Sequence, residues 1–182
     1  MNLKSLRLIV KKHLETFLPV DKNFNRIDGS FSKQDTFTYL ILPLTISSVL
    51  TYKNFDLDKQ VGNLISIISI FGGFLFNLMA IIYNYLDRPS SSQVRERRLY
   101  ANEINANISF GALLSIVCVL LLIIYNSIPE KILVFENLTY PIFHIKQFFL
   151  GITSFCLLHF LLTLLMILGR VFILLQIEMR DK

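Results

Sequence analysis

The chain has 182 residues, 53% of them AVILMFWYC and only 17% charged, with a formal net charge of +5. So large an apolar share in a chain of one-domain length argues against a soluble fold. Both cysteines, Cys118 and Cys156, lie inside apolar runs, which argues against a disulfide framework, and the basic surplus flanks those runs, where topology and lipid headgroups account for it before nucleic acid does.

Residues 1–35 read as a basic cytoplasmic arm. Leu3, Leu6, Val10, Leu14 and Phe17 recur at three- and four-residue steps, the pattern of an amphipathic helix. Lys4, Arg7, Lys11 and Lys12 lie largely beside or opposite that stripe, and Pro19 marks its end. Such a helix can lie on an anionic leaflet or dock on a protein. No cleavable signal peptide is expected, because the first strongly apolar run begins only at Thr36.

Four apolar runs follow, and they predict an all-α protein with four transmembrane helices: Thr36–Thr51, Val61–Tyr83, Ile108–Tyr125 and Phe148–Leu168, the last continuing apolar to Ile177. A span needs ~20 apolar residues. The first run has only 16, with Pro43 inside it, so a kinked or re-entrant segment is its rival. Charge favours a crossing. The segments before, between and after the runs alternate in basic content, and four spans place 14 Lys/Arg on one side against 4 on the other. The positive-inside rule then puts both termini in the cytoplasm. Six of seven tyrosines (Tyr39, Tyr52, Tyr83, Tyr85, Tyr100 and Tyr125) sit near span ends, as interfacial aromatics do.

Between the second and third runs, Asp87-Arg88-Pro89 ends one helix, and Ser90 and Gln93 have capping-box spacing for the next. Nothing breaks a helix from Gln93 to Asn126. Residues 90–107 are therefore expected to form a cytoplasmic helical stub carrying Arg95, Glu96, Arg97 and Arg98. These arginines suit either an anchor on headgroups or a docking surface for an acidic partner. The predicted division is thus an arm (1–35), a four-helix bundle (36–177) and a cytoplasmic tail (178–182).

No phosphate loop, HExxH or local Ser/His/Asp signature is present, so neither enzyme nor cofactor is expected. By topology His13, His144 and His159 fall in three compartments, which predicts no shared metal. Scarce intramembrane carboxylates argue against a proton relay. The residues that remain are polar groups at lipid depth. In the second run Gly62, Ser66, Ser69, Gly73, Asn77, Ala80 and Asn84 form one stripe, either a helix–helix seam or a pore-lining face. Asn107, Gly111, Ser115 and Cys118 form a shorter stripe in the third. In the fourth, His159, Thr163 and Arg170 share a face. His159 is either a neutral histidine bonded to a neighbouring helix or a gating residue. Arg170 sits where snorkelling would suffice.

The stretches LISIISIFGGFLFNLMAIIYNYL, ANEINANISFGALLSIVCVLLLIIYN and LLHFLLTLLMILGRVFILLQIE, with the basic arm and charged linker, give a plan that resembles the four-helix membrane subunit of the bacterial Kiwa antiphage system. The resemblance implies a non-enzymatic inner-membrane subunit that forms a homo-oligomer, by that likeness a tetramer. It would sense infection and bind a soluble cytoplasmic partner that then acts on phage DNA, without binding nucleic acid itself. The small basic build with a polar stripe also admits a second role, a pore-forming effector of a suicide-type defence.

Overall fold

The computed structural model describes residues 3–18, 36–86, 94–128 and 141–180, all helix, turn or short connection. The elements are α1 (Leu3–Glu15), α2 (Phe37–Tyr52), α3 (Val61–Leu86), α4 (Val94–Ser127) and α5 (Pro141–Arg180), with a 3-10 turn at Asp58–Gln60. The capping pair Ser90 and Gln93 lies outside the described residues.

Among the described residues, three helices are long and apolar enough to cross a bilayer: Asp58–Asn84, Arg98–Ser127 and Ile145–Ile177. They correspond to the second, third and fourth runs. The expectation of a fourth full span is corrected here. Phe37–Tyr52 is a shorter apolar helix, ~24 Å long at 1.5 Å per residue against ~30 Å of hydrocarbon. It starts as a π-helical turn over Phe37–Ile41, with the Leu42 N–H bonded to the Phe37 carbonyl, and becomes α-helical at Leu42. Buried Pro43 sits at the transition. Proline has no N–H to offer the carbonyl four residues back, here that of Tyr39.

The predicted continuity of the third run into a stub is present: α4 has 34 residues, ~51 Å of helix, well beyond the bilayer core. Helix α5 is longer still, 40 residues from Pro141, a residue suited to a first helical turn because its missing N–H leaves no donor unsatisfied there.

Helices α3, α4 and α5 share one core. Ile68, Leu75 and Ile82 of α3 pack with Ile104, Ile108 and Leu122 of α4 and Leu150, Phe160 and Ile167 of α5. Small residues let the helices approach. A Cβ added at Gly72 would lie 2.8 Å from Ser115 Oγ; one at Gly111 would lie 3.1 Å from Leu75 and 3.7 Å from Thr163. The short stripe Asn107, Gly111, Ser115 and Cys118 is buried throughout. Helix α2 packs on the outer flank of α5, with Thr51 Oγ1 3.0 Å from the Cβ position of Gly151.

The bundle has two polar ends. At one, where α2 leads into α3, Lys146 binds Asp58 at 2.7 Å and lies over the Tyr125 ring, and Gln147 bonds Asn54. At the other, the first turns of α4 and the last of α5 carry the basic residues, and α1 docks there. Its docked side is centred on His13, Thr16 and Phe17, all buried. Val10 and Leu14, expected on the apolar stripe, are exposed, so the docked side is rotated from the stripe toward His13.

Candidate functional site

At the basic end, four helices meet around a buried polar cluster. Helix α1 supplies His13 and Thr16, α4 supplies Glu103 and Asn107, α5 supplies His159, Thr163 and Arg170, and α2 contributes the Tyr39 carbonyl. His13 is 1% exposed and Asn107 and Thr163 are 0% exposed. Burying polar groups in this way is costly unless each finds a partner.

Most do. His13 Nδ1–H donates to Asn107 Oδ1 at 2.8 Å, and its ring stacks on Phe110 with 3.8 Å between centroids. Thr16 Oγ1 donates to the His13 carbonyl at 2.7 Å and lies 3.2 Å from Asn107 Oδ1. His159 Nδ1–H donates to the Tyr39 carbonyl at 2.9 Å, the very carbonyl that Pro43 leaves without its α-helical partner. Thr163 Oγ1 donates to the His159 carbonyl at 2.8 Å. Because both histidines donate from Nδ1 to carbonyl oxygens, both hold a lone pair at Nε2 when neutral. His13 Nε2 and Asn107 Nδ2 are buried with no hydrogen-bond partner among the described residues.

Arg170 does not snorkel to the surface. Its Nε lies 3.5 Å from Glu103 Oε2, with side-chain exposures of 15% and 7%, and a terminal nitrogen donates to the Thr16 carbonyl at 3.0 Å. A cation there meets the negative end of the α1 dipole and satisfies a carbonyl just past the helix end. Arg170 thus ties α1 to α4 and α5 at once. Burial pushes the His13 pKa down to about 4; the Asn107 bond opposes this, while His159 and Arg170 add to it.

The separation of His13 and His159 into different compartments is overturned. Their ring centroids are 6.0 Å apart, edge to face, and Phe110 lies against both. Span counting assigns α1 to the cytoplasmic side and His159 to the bilayer middle, but α2 starts at the level of His159 and leaves α1 room beneath it; Phe17 and Tyr39 meet at 5.3 Å. Among the described residues, no group of three or more His, Cys, Asp and Glu is placed to hold a metal. Glu103, Asn107, Phe110 and Thr16 were not singled out from sequence as members of one cluster. Pro43, which has no N–H for the carbonyl four residues back, is the sequence feature nearest to the contact between His159 and the Tyr39 carbonyl.

The other predicted residues lie elsewhere. Lys4, Arg7, Lys11 and Lys12 are on exposed positions of α1, Lys12 bonded to Glu15 at 3.0 Å and Lys11 4.0 Å from it. Arg95 and Arg97 lie in the first turn of α4, followed by exposed Arg98. Gly62, Ser66, Ser69, Gly73, Asn77, Ala80 and Asn84 are all exposed along one flank of α3. The seam inside the chain uses a different face, Val61, Ile68, Gly72, Leu75 and Ile82. Among the described residues, no atom lies within 4 Å of a Cβ at Gly62 or Gly73, in contrast to Gly72.

Comparison with family models, curated proteins and solved structures gives no match. The class is set by the helices themselves: an all-α protein with several long apolar helices, consistent with a membrane-spanning bundle.

Proposed function

We propose that the chain is a non-enzymatic membrane subunit that self-associates through the outward flank of α3 and presents its basic end to a soluble cytoplasmic partner. The observation that supports this reading is the Gly62–Asn84 stripe. A single chain leaves seven small or polar residues facing lipid, between exposed Ile70, Phe74 and Ile81. In hydrocarbon such residues gain from close helix contact and interhelical hydrogen bonds, which a second copy supplies. The first turn of α4, with Arg95, Arg97 and Arg98, projects beyond the bilayer core and offers charge to an acidic partner surface. The likeness to the Kiwa membrane subunit adds the setting, antiphage defence at the bacterial inner membrane, and the 14-to-4 split of basic residues supports cytoplasmic termini.

The test begins with a mass measurement of the purified chain in detergent and oxidative crosslinking of Ser69→Cys and Asn77→Cys. A multimeric mass and crosslinked pairs are expected. A single-chain mass with no crosslink would sink self-association. Capture of a cytoplasmic protein, lost on replacing Arg95, Arg97 and Arg98 by Gln, together with loss of phage resistance, tests the docking role.

The same stripe carries a second reading, because Ser66, Ser69, Asn77 and Asn84 are polar enough to line an oligomeric pore. A potential-sensitive dye separates the two: depolarisation on phage infection that Asn77→Leu abolishes belongs to the pore, and an unchanged potential belongs to the scaffold.

A further inference from the structure

Docking on the bundle uses only one side of α1. On the adjoining flank, Val10 and Leu14 are exposed and Leu18 half-buried, at steps of four, with exposed Arg7 and Lys11 beyond them. At ~100° per residue these positions share one arc of the helix, apolar next to the docked side and basic farther out. With Glu15 they line a shallow groove of about 550 Å³. Glu15 is held more closely by Lys12, at 3.0 Å, than by Lys11, at 4.0 Å, so the groove keeps a positive balance. Lys12 itself borders a separate groove, between α1 and α4.

The depth of this flank is fixed by its neighbours. His13 rests on Asn107 and Phe110, at the start of the apolar run of α4. From Asn107 to Tyr125 that helix rises ~27 Å, close to the ~30 Å hydrocarbon thickness. Helix α1 therefore lies at the boundary between acyl chains and headgroups. There the Val10–Leu14–Leu18 strip can meet acyl carbons while the longer Arg7 and Lys11 side chains reach phosphate oxygens.

We propose that this flank of α1 binds an anionic phospholipid of the leaflet at the basic end, with its phosphate between Arg7 and Lys11 and the upper part of an acyl chain along Val10 and Leu14. The site rests on membrane embedding alone, not on self-association or on a soluble partner. It assigns the two halves of the basic surface different occupants: lipid for α1, protein for the first turn of α4. An acidic protein would match the charges of α1 but not an apolar strip set at acyl-chain depth.

The chain has no tryptophan, so Val10→Trp gives a single reporter in the full-length protein. It is placed in bilayers that mix phosphatidylcholine and phosphatidylglycerol, with bromine-labelled chains on one lipid at a time. Quenching should favour labelled phosphatidylglycerol. Since each basic residue near an anionic surface contributes ~5-fold to association, Arg7→Gln and Lys11→Gln should each lower that preference several-fold, and together abolish it. Lys53→Gln, exposed at the opposite end of the bundle, should leave it unchanged. Both key side chains are exposed, so folding is not at stake, and an unaltered helical circular dichroism spectrum confirms this. Equal quenching by both lipids overturns headgroup recognition. No quenching by either overturns the lipid site and leaves the flank to a protein.

Discussion

The two ends of the bundle hold their polar groups in opposite ways. At the end joining α2 to α3, the Lys146–Asp58 pair and the Gln147–Asn54 bond lie near the surface, with side-chain exposures of 20% and 25% for the ion pair. At the basic end, His13, Asn107 and Glu103 are buried among four helices, with the Arg170 side chain 15% exposed beside them. The first arrangement can break and be replaced by water at little cost. The second cannot, because a partner removed there leaves a charge or amide in a dry site. The contrast implies that the basic end holds α1 in one defined position, whereas the opposite end only trims a loop.

The largest test of that contrast is Arg170→Met. It leaves Glu103 buried without its ion-pair partner and should cost about 3–5 kcal/mol, read as a drop in unfolding midpoint in detergent. Adding Glu103→Gln should recover part of the loss. If the double variant is no better than the single, the ion pair is not what orders this end.

Next come the adjacent glycines of α3. Gly72→Val presses on Ser115 and should cost about 1–3 kcal/mol through overpacking. A Cβ at Gly73 has no atom of the described residues within 4 Å, so Gly73→Val should leave the unfolding midpoint unchanged while weakening the proposed self-association. Equal stability effects at both positions would erase the distinction between the internal seam and the outward flank.

Acidification should act on the basic end through His13. Docking holds its pKa down at about 4, against an ordinary 6.5, so the docked arm binds fewer protons than the released one. Docking is therefore unaffected by pH above about 6.5 and weakens as pH falls toward 4, by roughly tenfold per pH unit within that window. Hydrogen exchange of the α1 amides, corrected for intrinsic pH dependence, should show this loss. His13→Phe, which keeps the ring contact with Phe110, should flatten it.

The smallest effect is expected at the other end. Lys146→Gln removes a partly exposed pair and should cost no more than about 1 kcal/mol, less in high salt. A loss as large as that of Arg170→Met would mean that the two ends are alike after all.

Much of the fold was legible because hydrophobic length is a direct record of bilayer thickness. The three long helices, the 34-residue extent of α4 and the overshoot of α5 all follow from apolar run length and the absence of breakers. Helix α2 was misjudged because the charge distribution reports which side a segment lies on, not how the chain gets there. An amphipathic arm sunk into the basic end satisfies the same distribution as a full fourth span. The cluster was only partly legible. His159, Thr163 and Arg170 share a face by spacing, but Glu103, Asn107 and Thr16 join them through packing of segments far apart in sequence, which periodicity does not encode. The α3 stripe was legible as a stripe, yet spacing alone could not tell a seam within the chain from a flank that faces outward.

The short α2 has a mechanical consequence. Three helices of the bundle are tall enough for a full bilayer, while the side covered by α2 is several ångströms shorter than the hydrocarbon. The height that α2 lacks is made up at the basic end by α1, which meets its first turn through Phe17 and Tyr39, so lipids along that side face two stacked segments where those along α3 face one helix. A wall made of two pieces can change height, and fit a different hydrocarbon thickness, where a single helix must tilt. Tension or local thinning would therefore change the load on the junction where Tyr39 rests on His159 and Phe17.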